Sequence, residues 1–126
     1  MVRILLDTHV VLWALAEPAK LTRPARMALE EAENEVFVSV VSGWEIAIKR
    51  ALGKLRAPED LEAAIRMQGF APLLMTFHHA VQAGSLPTHH RDPFDPMLID
   101  QAQAEGRVLV TRDPDIPRYG VRTLAA

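Results

Sequence analysis

Arg3-Ile4-Leu5-Leu6-Asp7-Thr8 reads as a buried strand that ends abruptly on an acid, and Arg107-Val108-Leu109-Val110-Thr111-Arg112-Asp113 repeats the design near the other end of the chain. A carboxylate at the buried end of a strand loses much of its solvation unless something compensates it. Two more acids, Glu45 and Asp95, stand where the apolar pattern breaks again. Asp7, Glu45, Asp95 and Asp113 together have the one-dimensional form of a metal-binding carboxylate cluster, with a cation as the compensating partner.

Outward from these two strands the pattern alternates. It predicts strands over 2-7, 35-39, 71-75, 107-111 and 121-124, and helices over about 8-16, 23-33, 40-53, 58-67, 77-84 and 95-105. Strands separated by helices imply an α/β fold with a mostly parallel sheet covered on both faces. Glu17-Pro18, Arg23-Pro24, Ala57-Pro58 and Ala71-Pro72 punctuate the boundaries, and Gly53 and Gly106 fall where helices should end. The longest irregular stretch, about 85-94, is rich in His, Arg and Asp and is a natural place for function.

The chain has 126 residues, 49% of them hydrophobic, which suits one domain over 1-126 with a real core. Cysteine is absent, which removes disulfides, thiolate zinc sites and thiol nucleophiles together and suits a reducing cytoplasm. Met1-Val2-Arg3 runs straight into the first strand without the form of a secretion signal, and the apolar runs are too short for a membrane span. A soluble protein is expected. The net charge of −2 does not advertise a nucleic-acid binder, and Lys49, Arg50, Lys54, Arg56, Arg107, Arg112, Arg118 and Arg122 read mostly as solvated faces.

Each acid has a plain structural alternative. Ser42-Gly43-Trp44-Glu45 matches a capping box, although Val41, Trp44, Ile48, Ala51, Leu52 and Leu55 form an apolar stripe with Glu45 at its edge. Asp95-Pro96 matches an N-cap followed by proline at the first helical position. Asp113-Pro114-Asp115 is a plausible turn, and Asp7 a plausible cap. Their joint pattern is harder to attribute to caps, because carboxyl ends of parallel strands share one edge and helix starts can face that edge. Oxygen donors without thiolates favour Mg²⁺ or Mn²⁺ over zinc. Of the histidines, His78-His79 reads as surface, His9 as a packing or supporting residue, and His89-His90 as lying near the acids.

Leu5-Leu6-Asp7-Thr8-His9, Ser42-Gly43-Trp44-Glu45-Ile46, His90-Arg91-Asp92-Pro93-Phe94-Asp95 and Leu109-Val110-Thr111-Arg112-Asp113 together resemble a PIN-domain ribonuclease, and specifically a VapC-like toxin of a toxin-antitoxin pair. The resemblance implies a three-layer α/β/α sandwich and metal-dependent cleavage of RNA. It carries the catalytic and metal-holding acids onto Asp7, Glu45, Asp95 and Asp113, with Glu45 ligating directly or orienting water. Asp92 and Asp115 are accessory acids in this reading, and Thr8 and Thr111 hydroxyl supports. The chain departs from the pattern at Pro96, where a basic residue is common, and at Asp100, where a small one is common.

The resemblance further implies a VapB-like antitoxin as partner, a toxin homodimer and a higher toxin-antitoxin assembly. Val10, Val11, Trp13, Leu15 and Leu21 offer apolar material from which a groove for a partner helix could be built. Two other classes compete: a non-catalytic interaction domain whose acids are only caps, and a phosphatase acting on small phosphorylated compounds. The second would need a phosphate-cradling loop, which the sequence lacks.

Overall fold

The computed structural model of the chain describes residues 1–84 and 94–126. Most of the irregular stretch, with His89, His90 and Asp92, therefore lies outside the described residues. Among those described, strands β1 (Arg3–Leu6), β2 (Glu35–Ser39), β3 (Ala71–Leu73), β4 (Val108–Thr111) and β5 (Thr123–Ala125) form one sheet in the order β3-β2-β1-β4-β5. Every neighbouring pair is parallel. Helices α1 (Thr8–Ala16), α2 (Arg23–Glu30), α3 (Val40–Ala51), α4 (Leu61–Met67), α5 (Phe77–Gly84) and α6 (Phe94–Glu105) connect and cover it.

The period-2 alternation of strand side chains divides the interior in two. Ile4, Leu6, Val36, Val38 and Val110 face one way and pack with Val10, Val11, Ala25 and Ile65 from α1, α2 and α4. Leu5 and Leu109 face the other way, where they meet Leu98, Ile99 and Ala102 from α6. The result is the expected three-layer sandwich. From β1 the chain moves outward through β2 and β3, then crosses back to β4 and β5 on the other side of β1. The reversal leaves a crevice at the carboxyl ends of β1 and β4, where ligands of open parallel sheets bind.

Most expected boundaries hold to within a few residues. Gly53 and Gly106 adopt φ of 72° and 64° just past α3 and α6, a conformation that only glycine adopts without strain. Helix α2 stops at Glu30 rather than 33, because the Asn34 side chain donates to the Ala28 carbonyl at 3.0 Å and draws the chain into a turn. The α3 stripe is also corrected. Trp44, Ile48 and Leu52 are exposed, and the inner face of α3 is Val41, Ser42, Glu45 and Ile46. His79 is not at the surface either: it is buried, its Nδ1 accepts the Thr76 N–H at 3.1 Å, and its Nε2 lies 3.3 Å from Glu105.

Candidate functional site

Asp7, Glu45, Asp95 and Asp113 line one cavity of about 490 Å³ at the carboxyl edge of the sheet, together with His9, Lys49, Arg112 and Pro114. Each acid arrives from a different element. Asp7 follows β1 and is anchored by its own N–H, which donates to Val110 on β4 at 3.0 Å. Glu45 projects from the inner face of α3, and Asp95 sits at the second position of α6 rather than at its N-cap. Asp113 stands two residues beyond β4. Ser39, at the end of β2, fixes the relation between two of these helices. Its hydroxyl accepts the Val41 N–H at 3.0 Å, capping α3, and donates to Gln101 of α6 at 2.6 Å.

Two threonines tie the acids across elements. Thr111 donates its proton to Asp7 Oδ2 at 2.6 Å and accepts the Asp113 N–H at 3.0 Å. Thr8 donates to Glu45 Oε1 at 2.7 Å, and the Ser42 hydroxyl lies 3.0 Å from Thr8 Oγ1. Ser39 is the cap of α3, so Ser42 and Glu45 are not a capping box; both are buried partners of Thr8. Asp7 holds the cap position of α1 without a side-chain capping bond. Asp113 combines both readings, lining the cavity while its Oδ1 accepts the Asp115 N–H at 2.9 Å.

The sequence profile of the PIN domain matches residues 4–122. The chain belongs to the PIN domain family. It is 33% identical over 121 residues to Ribonuclease VapC22 of Mycobacterium tuberculosis (strain ATCC 25618 / H37Rv), covering 90% of this chain and 88% of that protein. Its fold matches VapBC2 from Rickettsia felis bound to a DNA fragment from its promoter, with a TM-score of 0.70 at 14% identity and 98% of both chains covered. DNA-bound VapBC from Salmonella typhimurium matches with a TM-score of 0.67 at 19% identity, over 99% of this chain and 98% of that one. At these identities the two structures establish the PIN fold and no more.

The electrostatics of this PIN domain are set by burial. Asp7 is only 7% exposed, and desolvation pushes its carboxyl above the ordinary carboxylate range, with the Glu45 charge adding to the rise and the Thr111 hydrogen bond opposing it. Glu45, 4% exposed, has both oxygens engaged, since Lys49 Nζ lies 2.5 Å from Oε2. Among the described residues no three acids or histidines converge closely enough to hold an ion with their side chains as they stand. The donors nevertheless fit a hard divalent cation. They are carboxylates without thiolates, and among the described residues Asp7 forms no ion pair like that of Lys49 with Glu45 and has only the longer-range influence of His9.

Several site residues escaped the sequence reading. Lys49 belongs to the cavity rather than to a solvated basic face, and His9 is exposed on the cavity wall instead of packed. Ser39 and Gln101 gave no signal, being ordinary polar residues until the fold pairs them. Asp100 does not join the cavity and does not face solvent: it is 6% exposed, its Oδ2 has no hydrogen-bond partner among the described residues, and burial raises its carboxyl above the ordinary range. Asp115 lies outside the cavity and pairs with Arg118 at 3.4 Å.

Proposed function

We propose that this PIN domain, taken as one domain over 1-126, is a metal-dependent endoribonuclease acting in the cytoplasm as the toxin of a toxin-antitoxin pair. The observation that carries the reading is the meeting of four acids from four separate elements in one cavity at the switch edge of the sheet. The kinship with Ribonuclease VapC22 supports the same chemistry. In this proposal Asp7, Asp95 and Asp113 hold Mg²⁺ or Mn²⁺, and Glu45 joins them or orients the attacking water. A divalent ion, when bound, supplies a lowered pKa for water and charge neutralisation at the phosphate.

The chain's own residues prepare that chemistry. Thr111 and Thr8 hold Asp7 and Glu45 on the cavity wall by hydrogen bonds, and binding of the ion would draw the acids closer together. Lys49 offsets the negative charge of Glu45, which would otherwise repel a phosphate backbone. Hydrolysis adds water across a phosphodiester: a new phosphorus–oxygen bond forms, the bond to the leaving oxygen breaks, and that oxygen takes up a proton.

A VapB-like antitoxin is proposed as the partner, as named for the VapBC neighbours. Val10, Val11 and Leu21 are buried, so much of the apolar material expected for a groove belongs to the core. A hollow of about 430 Å³ remains, lined by apolar Leu15, Leu21, Leu29 and Phe70 and by polar Arg26, Glu30 and Gln68, and it suits an amphipathic partner segment. The exposed row of Trp44 and Ile48 on α3 and Leu52 at its C-cap is available for a homodimer and for the higher assembly. Among the described residues no helix is long and apolar enough to cross a membrane.

The test is incubation of total cellular RNA with purified protein in Mn²⁺ and in EDTA. Cleavage in Mn²⁺ alone, lost in Asp7→Asn and Asp95→Asn, supports the reading. Intact RNA in both buffers refutes it and leaves the interaction-domain alternative.

A further inference from the structure

Two cations line the acidic cavity, and they are placed differently. Lys49 is committed to Glu45. Arg112 is exposed, and its guanidinium lies over the Trp13 ring, 4.8 Å from the centroid. Among the described residues it forms no hydrogen bond or ion pair, although the same cavity holds four carboxylates. His9, on the same wall, lies 6.4 Å from Trp13 between ring centroids and extends the aromatic surface.

Stacking on an indole holds a guanidinium through its flat face and leaves the N–H groups around its edge unused. That edge matches two phosphate oxygens at once. An arginine on an acid-lined wall that pairs with no acid among the described residues keeps its N–H groups available to an anion brought from outside, and single-stranded nucleic acid brings phosphates at regular spacing alongside bases that stack on aromatic rings.

We propose that Arg112, held against Trp13, grips an RNA phosphate adjacent to the one being cut, making it a substrate-positioning residue of this site. The inference rests on the ribonuclease reading and adds to it the cationic contact that places the strand. Arg112 was read from the sequence as part of a solvated face; its seat on Trp13 sets it apart from Arg118, which pairs with Asp115.

The experiment measures steady-state cleavage of a fluorogenic single-stranded oligoribonucleotide in Mn²⁺ over a series of salt concentrations, for wild type, Arg112→Gln, Arg112→Lys and Trp13→Leu. Melting curves accompany each variant. Arg112→Gln is expected to raise KM roughly tenfold with a smaller change in kcat, as for loss of a charge-assisted hydrogen bond. The slope of log(kcat/KM) against log salt should become shallower by about 0.7, the value for one phosphate contact on a single strand. Arg112→Lys should restore the slope, because its charge remains, but only part of KM. Trp13→Leu should keep the slope and raise KM roughly two- to fivefold, through loss of the stacking contact. Arg112→Gln with wild-type KM and wild-type salt slope overturns the inference and leaves the ribonuclease reading standing. Wild type that cuts nothing overturns both.

Discussion

Thr111→Val removes the hydroxyl that joins two of the four acids while nearly preserving the shape of the side chain. The lost proton donor serves Asp7 Oδ2 at 2.6 Å, and the lost acceptor serves the Asp113 N–H at 3.0 Å. A hydrogen bond to a charged group contributes about 1.5–3 kcal/mol, and the half-buried Asp113 amide recovers most of its loss from water, so the expected cost at neutral pH in EDTA is about 2–3 kcal/mol. For a chain of this size that corresponds to a fall in Tm of about 3–5 °C per kcal/mol.

The pH dependence follows from the direction of the Asp7 shift. Burial raises its folded-state pKa above the ordinary value near 3.8, so between the two values the folded chain binds more protons than the unfolded one. Stability therefore rises as pH falls through that window. Thr111 opposes the rise, so its removal costs most where Asp7 is ionised. Below the folded pKa the cost should drop toward the roughly 0.5–1.5 kcal/mol of a neutral hydrogen bond. Urea unfolding of both proteins in EDTA at several pH values measures this, and an Asp7→Asn background should reduce the cost by about 1 kcal/mol. A neutral-pH cost below about 0.5 kcal/mol that is flat with pH would refute the reasoning.

Lys49→Gln leaves the buried Glu45 carboxylate without its ion partner and should cost about 1–3 kcal/mol, discounted because the lysine is partly exposed; adding Glu45→Gln should recover most of it in a urea double-mutant cycle. Asp100→Asn should be at least as stable as wild type at neutral pH, since burial penalises the charged form, and its advantage should vanish as pH falls toward 3.8. The same variant should retain RNA cleavage, because Asp100 does not line the cavity.

The sheet and its acidic edge were legible because β1 and β4 carry the apolar runs Ile4-Leu5-Leu6 and Val108-Leu109-Val110, which stop on Asp7 and shortly before Asp113, a pattern set by local burial. The acids could be grouped because parallel strands present their carboxyl ends on one side. What hydropathy could not rank was the two sides of α3. The large apolar residues Trp44, Ile48 and Leu52 face outward, while the smaller Val41 and Ser42 bring Glu45 to Thr8 inside. Lys49 was hidden in a basic run, since nothing local distinguishes a lysine that meets a buried glutamate from one that meets water. His79 was misread for a similar reason: its burial depends on Glu105 of another helix.

The central claim is that the four acids form one metal site, and thermal melts of wild type and Asp7→Asn in EDTA and in Mn²⁺ test it most directly. Wild type should gain about 2.7 kcal/mol of stability at a hundredfold excess of Mn²⁺ over its dissociation constant, and the variant much less. In EDTA the variant should be at least as stable as wild type, because it removes a desolvated charge from a group of like charges. An Asp7→Asn protein destabilised in EDTA by roughly 0.5–2 kcal/mol, as for a lost helix cap, with an unaltered Mn²⁺ shift would contradict the account.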